Sequence, residues 1–393
     1  MQSFNKIIKN SVSLSYITLL ILLMLITIVS GKLSFEYLIP MVVGTCIICM
    51  KKKVLCGCFE LKIGFIFVCY IALQLLGLFN NVTIFSIKNI LSSFCIFFIV
   101  FTLIRANPII DSFWKKIIFI VFYSYCLYLL VYPYQDNTLP SYLLFFWGLL
   151  MLMVLYKESV VFNRVAPSMI FSILISLIPV LLISFLFSAR TSLLVGIIIF
   201  LMFMTFYLFC FPQRILKILF PIIVTGIVVL ILFYVNIQRF SFYTELNNIS
   251  NLYFNKNIIS GRSFIWETAF FSIKGSKMLF GLGTGCLPNI ERYMNSSFHN
   301  SFIQILVQNG LLGLSIVIIL LRSFWNEFCL IHDKITRSFV LAVFIGIIVY
   351  DCFETCLTQN KTFLGFIQWT FLALSYNLFI RSKNTTYKLK ISR

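Results

Sequence analysis

The sequence predicts an all-α, polytopic membrane protein with about twelve transmembrane helices and one large outer loop, and three observations carry that prediction. Hydrophobic residues make up 61% of the 393 and charged residues only 11%, with a mean hydropathy of +1.01. A water-soluble domain of this length has too few charges to cover so much apolar surface. The apolar residues also fall in long charge-free runs, close to the roughly 20 residues that a helix needs to cross a bilayer. Finally, lysine and arginine concentrate in alternate connections between the runs, as expected when cationic loops stay on the inner side. No second, soluble domain stands out, so residues 1–393 read as a single integral membrane domain.

The runs are taken in chain order. Leu14–Val29 is longer than the apolar core of a signal peptide, and no small-x-small cleavage site follows it, so it reads as a retained helix. Phe35–Met50, Leu61–Phe79, Ile84–Ile104, Ile117–Tyr132 and Leu139–Tyr156 complete the first half. Met169–Phe187, Leu193–Phe211, Ile215–Val235, Phe302–Leu321, Phe339–Cys352 and Phe363–Ile380 make the second. Phe35–Met50 and Phe339–Cys352 are short for a span.

With the N-terminus inside, the inner connections hold the basic clusters: Lys51, Lys52, Lys53 and Lys62, then Arg105, Lys115 and Lys116, and later Arg322, Lys334 and Arg337. The short outer connections hold only Lys32, Lys88, Arg190 and Lys361. Both termini come out cytoplasmic. The net charge of +19 is therefore mostly topological. Basic helix ends meet anionic headgroups, and no nucleic-acid partner is needed.

The rhythm of short connections breaks once, at residues 236–298, which form the large outer loop. A long connection in a tightly connected protein is usually functional. Within it Phe264, Ile265, Ala269, Phe270 and Ile273 recur at helical spacing with Trp266 nearby, so Ser263–Lys274 reads as an amphipathic helix in the headgroup plane. Gly281-Leu-Gly283-Thr-Gly285 follows. No βαβ unit surrounds it, so it reads as a tight turn at the membrane surface and not as a dinucleotide fingerprint.

The cysteines carry little chemistry. Cys46, Cys49, Cys69, Cys95, Cys126 and Cys210 lie inside apolar runs, where cysteine acts as a small hydrophobe. Cys46-x-x-Cys49 and Cys56-x-Cys58 have metal-like spacing but no histidine nearby, so neither is read as a metal site.

Three outer residues are candidates for chemistry: Arg190 in Ser188-Ala-Arg-Thr-Ser192, Arg262 in Ser260-Gly-Arg-Ser263, and His299 before Asn300 and Ser301. All three sit at predicted helix N-termini. Unpaired helix N–H groups beside an arginine make an anion site suited to phosphate. The same field favours a neutral imidazole, which can accept a proton. Together they suit a displacement in which a diphosphate leaves as a hydroxyl attacks. The plainer alternatives are that Arg190 sits among headgroups, that Arg262 is one more loop cation, and that His299 only helps Asn300 cap a helix. Asp351 and Glu354, three apart at an outer helix end, offer a carboxylate that pairs with Arg190, orients His299 or takes the proton itself; a solvated helix end near Lys361 is the alternative.

At His299 a family pattern becomes visible. The run from His299-Asn300 through nine residues to Gly310-x-x-Gly313 resembles the signature of the O-antigen ligase and polymerase family. Ser188-Ala-Arg190-Thr-Ser-Leu-Leu194 is similar to that family's Arg-x-x-x-Leu segment. Ser260-Gly-Arg262 with Trp266 and then Gly281-Leu-Gly283-Thr-Gly285 is similar to its long loop. The resemblance covers roughly residues 185–320.

It implies a GT-C-type glycosyltransferase of the bacterial inner membrane, with its active site on the periplasmic face. Such enzymes take a glycan as a block from an undecaprenyl-diphosphate carrier, without metal or cofactor. Arg190 and Arg262 would then hold the diphosphate, and His299 would activate the acceptor hydroxyl. The acceptor is the next lipid-linked repeat unit in a polymerase, for O-antigen or capsule, and lipid A-core in a ligase. The single large loop and the histidine motif lean toward ligase. The same motifs occur in polymerases, the larger and more diverse group, and the polymerase reading is carried forward. The implied partners are the lipid-linked donor, the glycan or lipid A-core acceptor, membrane lipid and a chain-length regulator. A lipid-linked glycan flippase is a more distant reading, because the polar residues gather at the outer surface and not at the bilayer midplane.

Overall fold

The structure, a computed structural model, describes residues 57–80, 82–105, 112–131, 138–162, 165–259, 261–288, 297–358 and 362–381. Every regular element among them is helical. In chain order these are α1 Cys58–Leu76, α2 Ile84–Arg105, α3 Ser112–Val131, α4 Leu139–Phe162, α5 Ser168–Leu186, α6 Arg190–Phe209 and α7 Gln213–Asn236. The long connection then forms α8 Tyr243–Phe254, α9 Arg262–Ser272 and the short α10 Ser276–Phe280. After it come α11 Ser301–Phe328, α12 Lys334–Asp351 and α13 Thr362–Tyr376, which runs on into a π-helical turn, Asn377–Arg381.

Each expected span from Leu61–Phe79 onward falls on one of these helices. Leu14–Val29, Phe35–Met50 and both chain ends lie outside the described residues, as do Cys46, Cys49 and Cys56. Seven helices among the described residues are long and apolar enough to cross a membrane. That supports a multi-pass membrane protein without fixing the number of spans. α12 departs from that pattern because Lys334, Arg337 and Asp351 lie within its length.

The helices are apolar on the face turned inward and on the face turned away. In α5, Ile173, Leu177, Val180 and Ile183 are buried, while Phe171, Ile175, Ile178 and Leu182 are exposed. A helix that is hydrophobic all round belongs in hydrocarbon, where an outward phenylalanine or isoleucine carries no penalty. α4 occupies the centre of the bundle, with Leu143–Trp147 and Leu149–Met153 all buried. α6 and α12 approach closely at Gly346, where a methyl group would meet Ile199 at 2.5 Å. Small residues at helix crossings permit such approach.

Two backbone devices position the rest. α5 ends on Ser188 in the left-handed region, φ 50°. Ala189 N–H reaches Ser184 C=O at 2.9 Å and Ser188 N–H reaches Phe185 C=O at 3.0 Å, which is a Schellman ending. It turns the chain so sharply that α6 begins at Arg190.

The second device is a break inside α11 at Gly310, φ 65° and ψ −169°. A break frees carbonyls one turn earlier, and these need new donors. Leu282 N–H takes Val307 C=O at 2.8 Å and Gly283 N–H takes Gln308 C=O at 3.1 Å. The glycine run is therefore not a surface turn. It docks against α11 about 10 Å from that helix's start, given a 1.5 Å rise per residue. Irregular backbone is tolerated at such depth when it is enclosed by protein, and Gly281, Gly283, Thr284 and Gly285 are all buried.

Gly281→Ala tests this docking, since its φ is 82° and a methyl group there would lie 2.3 Å from Gln308 O. The left-handed backbone alone costs about 1–2 kcal/mol, so the variant should melt at clearly lower temperature in detergent. Gly226→Ala, with open space around it, should melt no lower than the parent protein.

Candidate active site

Arg190 is the first residue of α6 and Arg262 the first of α9, whose entry needs Gly261 at φ 76°. His299 precedes Asn300, the N-cap of α11, whose side chain accepts from Ile303 N–H at 2.9 Å. The three helix ends expected from sequence are thus present, and the fold brings them to one end of the bundle. Arg262 lies within electrostatic reach of Arg190, and Tyr234 lies within reach of both arginines.

Arg190 Nη1 donates to Asn257 C=O and to Ser250 Oγ, each at 2.9 Å. It therefore braces the segment that joins α8 to α9. Lys256 adds a third cation there. Partial burial first, and Arg190 second, push its ammonium below the ordinary lysine range. The Tyr234 hydroxyl reaches the carbonyls of Ile258 and Ile259, both at 3.0 Å.

The helix α9 forms as expected, but its faces differ from the expectation. Ile265, Trp266 and Ala269 pack inward with Ile231, Phe298, Ile303 and Val307. Phe264 and Phe270 are exposed, so the five-residue apolar set read from sequence is split between two faces. Trp266 Nε1 donates to Phe298 C=O at 2.8 Å, which anchors the chain directly before His299. His299 then turns into α11 from the left-handed region, φ 51°, a conformation that histidine visits more readily than most residues.

The carboxylates divide their work. Glu354 Oε1 accepts from Arg262 Nη2 at 3.0 Å, and its Oε2 lies 3.8 Å from His299 Nδ1. The second distance is too long for a hydrogen bond. Asp351 neither pairs with Arg190 nor faces His299. It is fully buried and accepts from Ser301 Oγ at 2.7 Å and from Cys356 Sγ at 3.1 Å. At the end of a packed helix its carboxylate cannot reach the mouth of the site. Ser301 Oγ also accepts from the N–H groups of Cys356 and Leu357, and Asn300 Nδ2 donates to Cys352 C=O at 2.8 Å. The first turn of α11 is thereby clasped to the turn that follows α12.

An apolar groove of about 260 Å³ opens beside the cluster. Phe220, Ile227 and Ile231 of α7, Phe270 of α9, and Ile303 and Leu314 of α11 line it. Its lining reaches Leu232 of α7, two residues from Tyr234, and Phe302 of α11, three residues from His299, while none of Arg190, Arg262 and His299 lines it. Tyr234 and the groove gave no signal in the sequence, because both sit within ordinary apolar runs. The bracing carbonyls of residues 256 and 257 are backbone atoms, which no residue type announces.

Fold and site together define a class: a multi-pass α-helical membrane protein with arginines and a histidine gathered at helix N-termini beside an apolar groove. Residues 175–318 match the family described as O-antigen ligase. The resemblance read from sequence is thus shown over that segment. No curated protein matches the chain. The matched segment holds Arg190, Arg262, His299 and the glycine motifs, while Asp351 and Glu354 lie beyond it.

Ser301→Ala should loosen the clasp. It takes one donor from the Asp351 carboxylate, which keeps Cys356 Sγ, and one acceptor from each of the Cys356 and Leu357 N–H groups, at about 0.5–1.5 kcal/mol for each lost hydrogen bond. Hydrogen exchange should accelerate at the Cys356 and Leu357 amides, together with a lower melting temperature.

Proposed function

We propose that this protein is a glycosyltransferase that moves a glycan as a block from an undecaprenyl-diphosphate carrier onto an acceptor sugar hydroxyl, acting as a surface-polysaccharide polymerase. The observation that carries this reading is the position of the cations. They sit at helix N-termini, at the bundle end that an apolar groove along α7 and α11 approaches at Leu232 and Phe302. An amphiphile with an anionic diphosphate and a long hydrocarbon tail matches both parts at once.

In this reading Arg262, with Arg190 beside it, binds the diphosphate. Fixed cations and helix N–H groups stabilise the charge that builds on the phosphate oxygen as the glycosidic bond breaks. His299 takes the proton from the acceptor hydroxyl as that oxygen bonds to the anomeric carbon. The carrier leaves as the free diphosphate. The chemistry needs orientation and charge stabilisation, which preformed helix ends supply without reorganisation. Asn300 fixes where His299 stands. The active site faces the periplasm across the bacterial inner membrane, in keeping with the basic residues counted on the opposite side.

A ligase, which would use lipid A-core as acceptor, is the second reading. The description of the matched family and the single long connection favour it.

His299→Ala and Arg262→Ala, expressed at the normal level, should each lower transfer by at least about a hundredfold, as expected for loss of a base or of an oxyanion partner. The readout is surface polysaccharide on a gel from a deletion strain carrying each variant. Single repeat units on core indicate a lost polymerase, and full-length chains left on the carrier indicate a lost ligase. Wild-type ladders from both variants would overturn the proposal.

A further inference from the structure

We propose that Glu354 is a positioning residue that changes partners when the donor binds, leaving Arg262 for the diphosphate and closing on His299. This rests on the transfer reading given above and deepens it.

Three observations meet at this side chain. Glu354 occupies the arginine that an incoming diphosphate needs, through a 3.0 Å ion pair. Its other oxygen already faces His299 Nδ1 at 3.8 Å. His299 Nδ1 is itself buried and has no hydrogen-bond partner. A buried ring nitrogen without a partner is costly and uncommon in a finished site. A shift of about 1 Å by the carboxylate would bring it within hydrogen-bond range.

The backbone is built for a movement of the side chain alone. Glu354 N–H is held by Tyr350 C=O at 3.0 Å. Its carbonyl lies 3.1 Å from the Ser301 hydroxyl, in the clasp that also carries Asp351. The main chain is therefore pinned at both ends of the residue while the carboxylate lies at the edge of the site, its side chain 13% exposed.

Electrostatics gives the movement its direction. A diphosphate on Arg262 brings negative charge against Glu354 and offers the guanidinium more acceptor oxygens than one carboxylate does. The displaced carboxylate finds the imidazole next to it. Hydrogen-bonded to Nδ1, it fixes the ring with Nε2 toward the acceptor and stabilises the imidazolium formed when the hydroxyl proton arrives. The base is thus fully oriented only when the donor is in place. An acceptor arriving alone meets a histidine without its partner, which limits wasteful attack by water.

Glu354→Gln separates this from a structural role, because affinity for the carrier and kcat should move in opposite senses. Removing the competing charge should tighten binding of undecaprenyl diphosphate in detergent about three- to tenfold, in line with loss of one ion pair. Losing the imidazolium partner should lower kcat for lipid-linked glycan by at least roughly tenfold, a part of what base catalysis supplies. Glu354→Asp, which keeps the charge, should retain the weaker binding and recover part of kcat. Unchanged constants in the Gln variant, or weaker binding together with lower kcat, would overturn the exchange of partners. His299→Ala is the control for the underlying reading. If it turns over normally, the transfer assignment falls. If it is inactive while Glu354→Gln behaves as the parent, the partner exchange alone falls.

Discussion

A buried, hydrogen-bonded junction ties the first turn of α11 to the turn after α12, and the geometry of the site depends on it. Asn300 caps α11 with its oxygen and holds Cys352 with its nitrogen. Ser301 donates to Asp351 and accepts from two N–H groups of the facing turn. One side of this junction carries His299 and the other carries Glu354. Neither residue is held by a regular helix, yet both have fixed backbones, because buried polar groups in a low-dielectric setting must keep their partners. Arg262 then joins through Glu354, and Arg190 through the carbonyls of the segment before α9. A displacement of one or two ångströms at the junction would separate the histidine from Glu354.

The break at Gly310 matters in a different way. It leaves carbonyls inside α11 in need of donors, and the N–H groups of residues 282 and 283 supply them. The long connection is thereby anchored at depth, and α9 and α10 cannot drift as a loose surface loop would. The anchoring also places Phe270 over the groove. Gly281 packs on Gln308 and Gly310 packs on Leu279 and Phe280, so these two glycines, distant in sequence, belong to one contact.

Much of the fold was legible in the sequence because a bilayer imposes a coarse rule. Charge-free runs near 20 residues can do little but span, and each of those runs from Leu61 onward falls on a helix, although α4 and α11 continue six and seven residues past the expected ends. The helix ends carrying Arg190, Arg262 and His299 were legible too, through a Ser-rich turn, a glycine before the arginine and an Asn-Ser cap. The inward face of α9 was not. With Phe264 and Phe271 on one side and Trp266 on the other, composition marks both faces as apolar, and only packing decides between them. The roles of Asp351 and Glu354 were also illegible. Two acids three residues apart look equivalent until the helix ends between them, with one left inside the bundle and the other released into the turn. The docking of the glycine run depends on hydrogen bonds between main-chain atoms, which side-chain patterns do not encode.

The account stands on one spatial claim: the diphosphate of a polyprenyl carrier sits against Arg262 within reach of His299, with its tail along α7 and α11. Determining the structure of the protein in lipid nanodiscs with undecaprenyl diphosphate tests it most directly. The account predicts phosphate density at about 3 Å from the Arg262 guanidinium and hydrocarbon density along Ile227, Ile231, Phe270 and Leu314. Phosphate density at the opposite end of the bundle, or a tail running along helices other than α7 and α11, would contradict it.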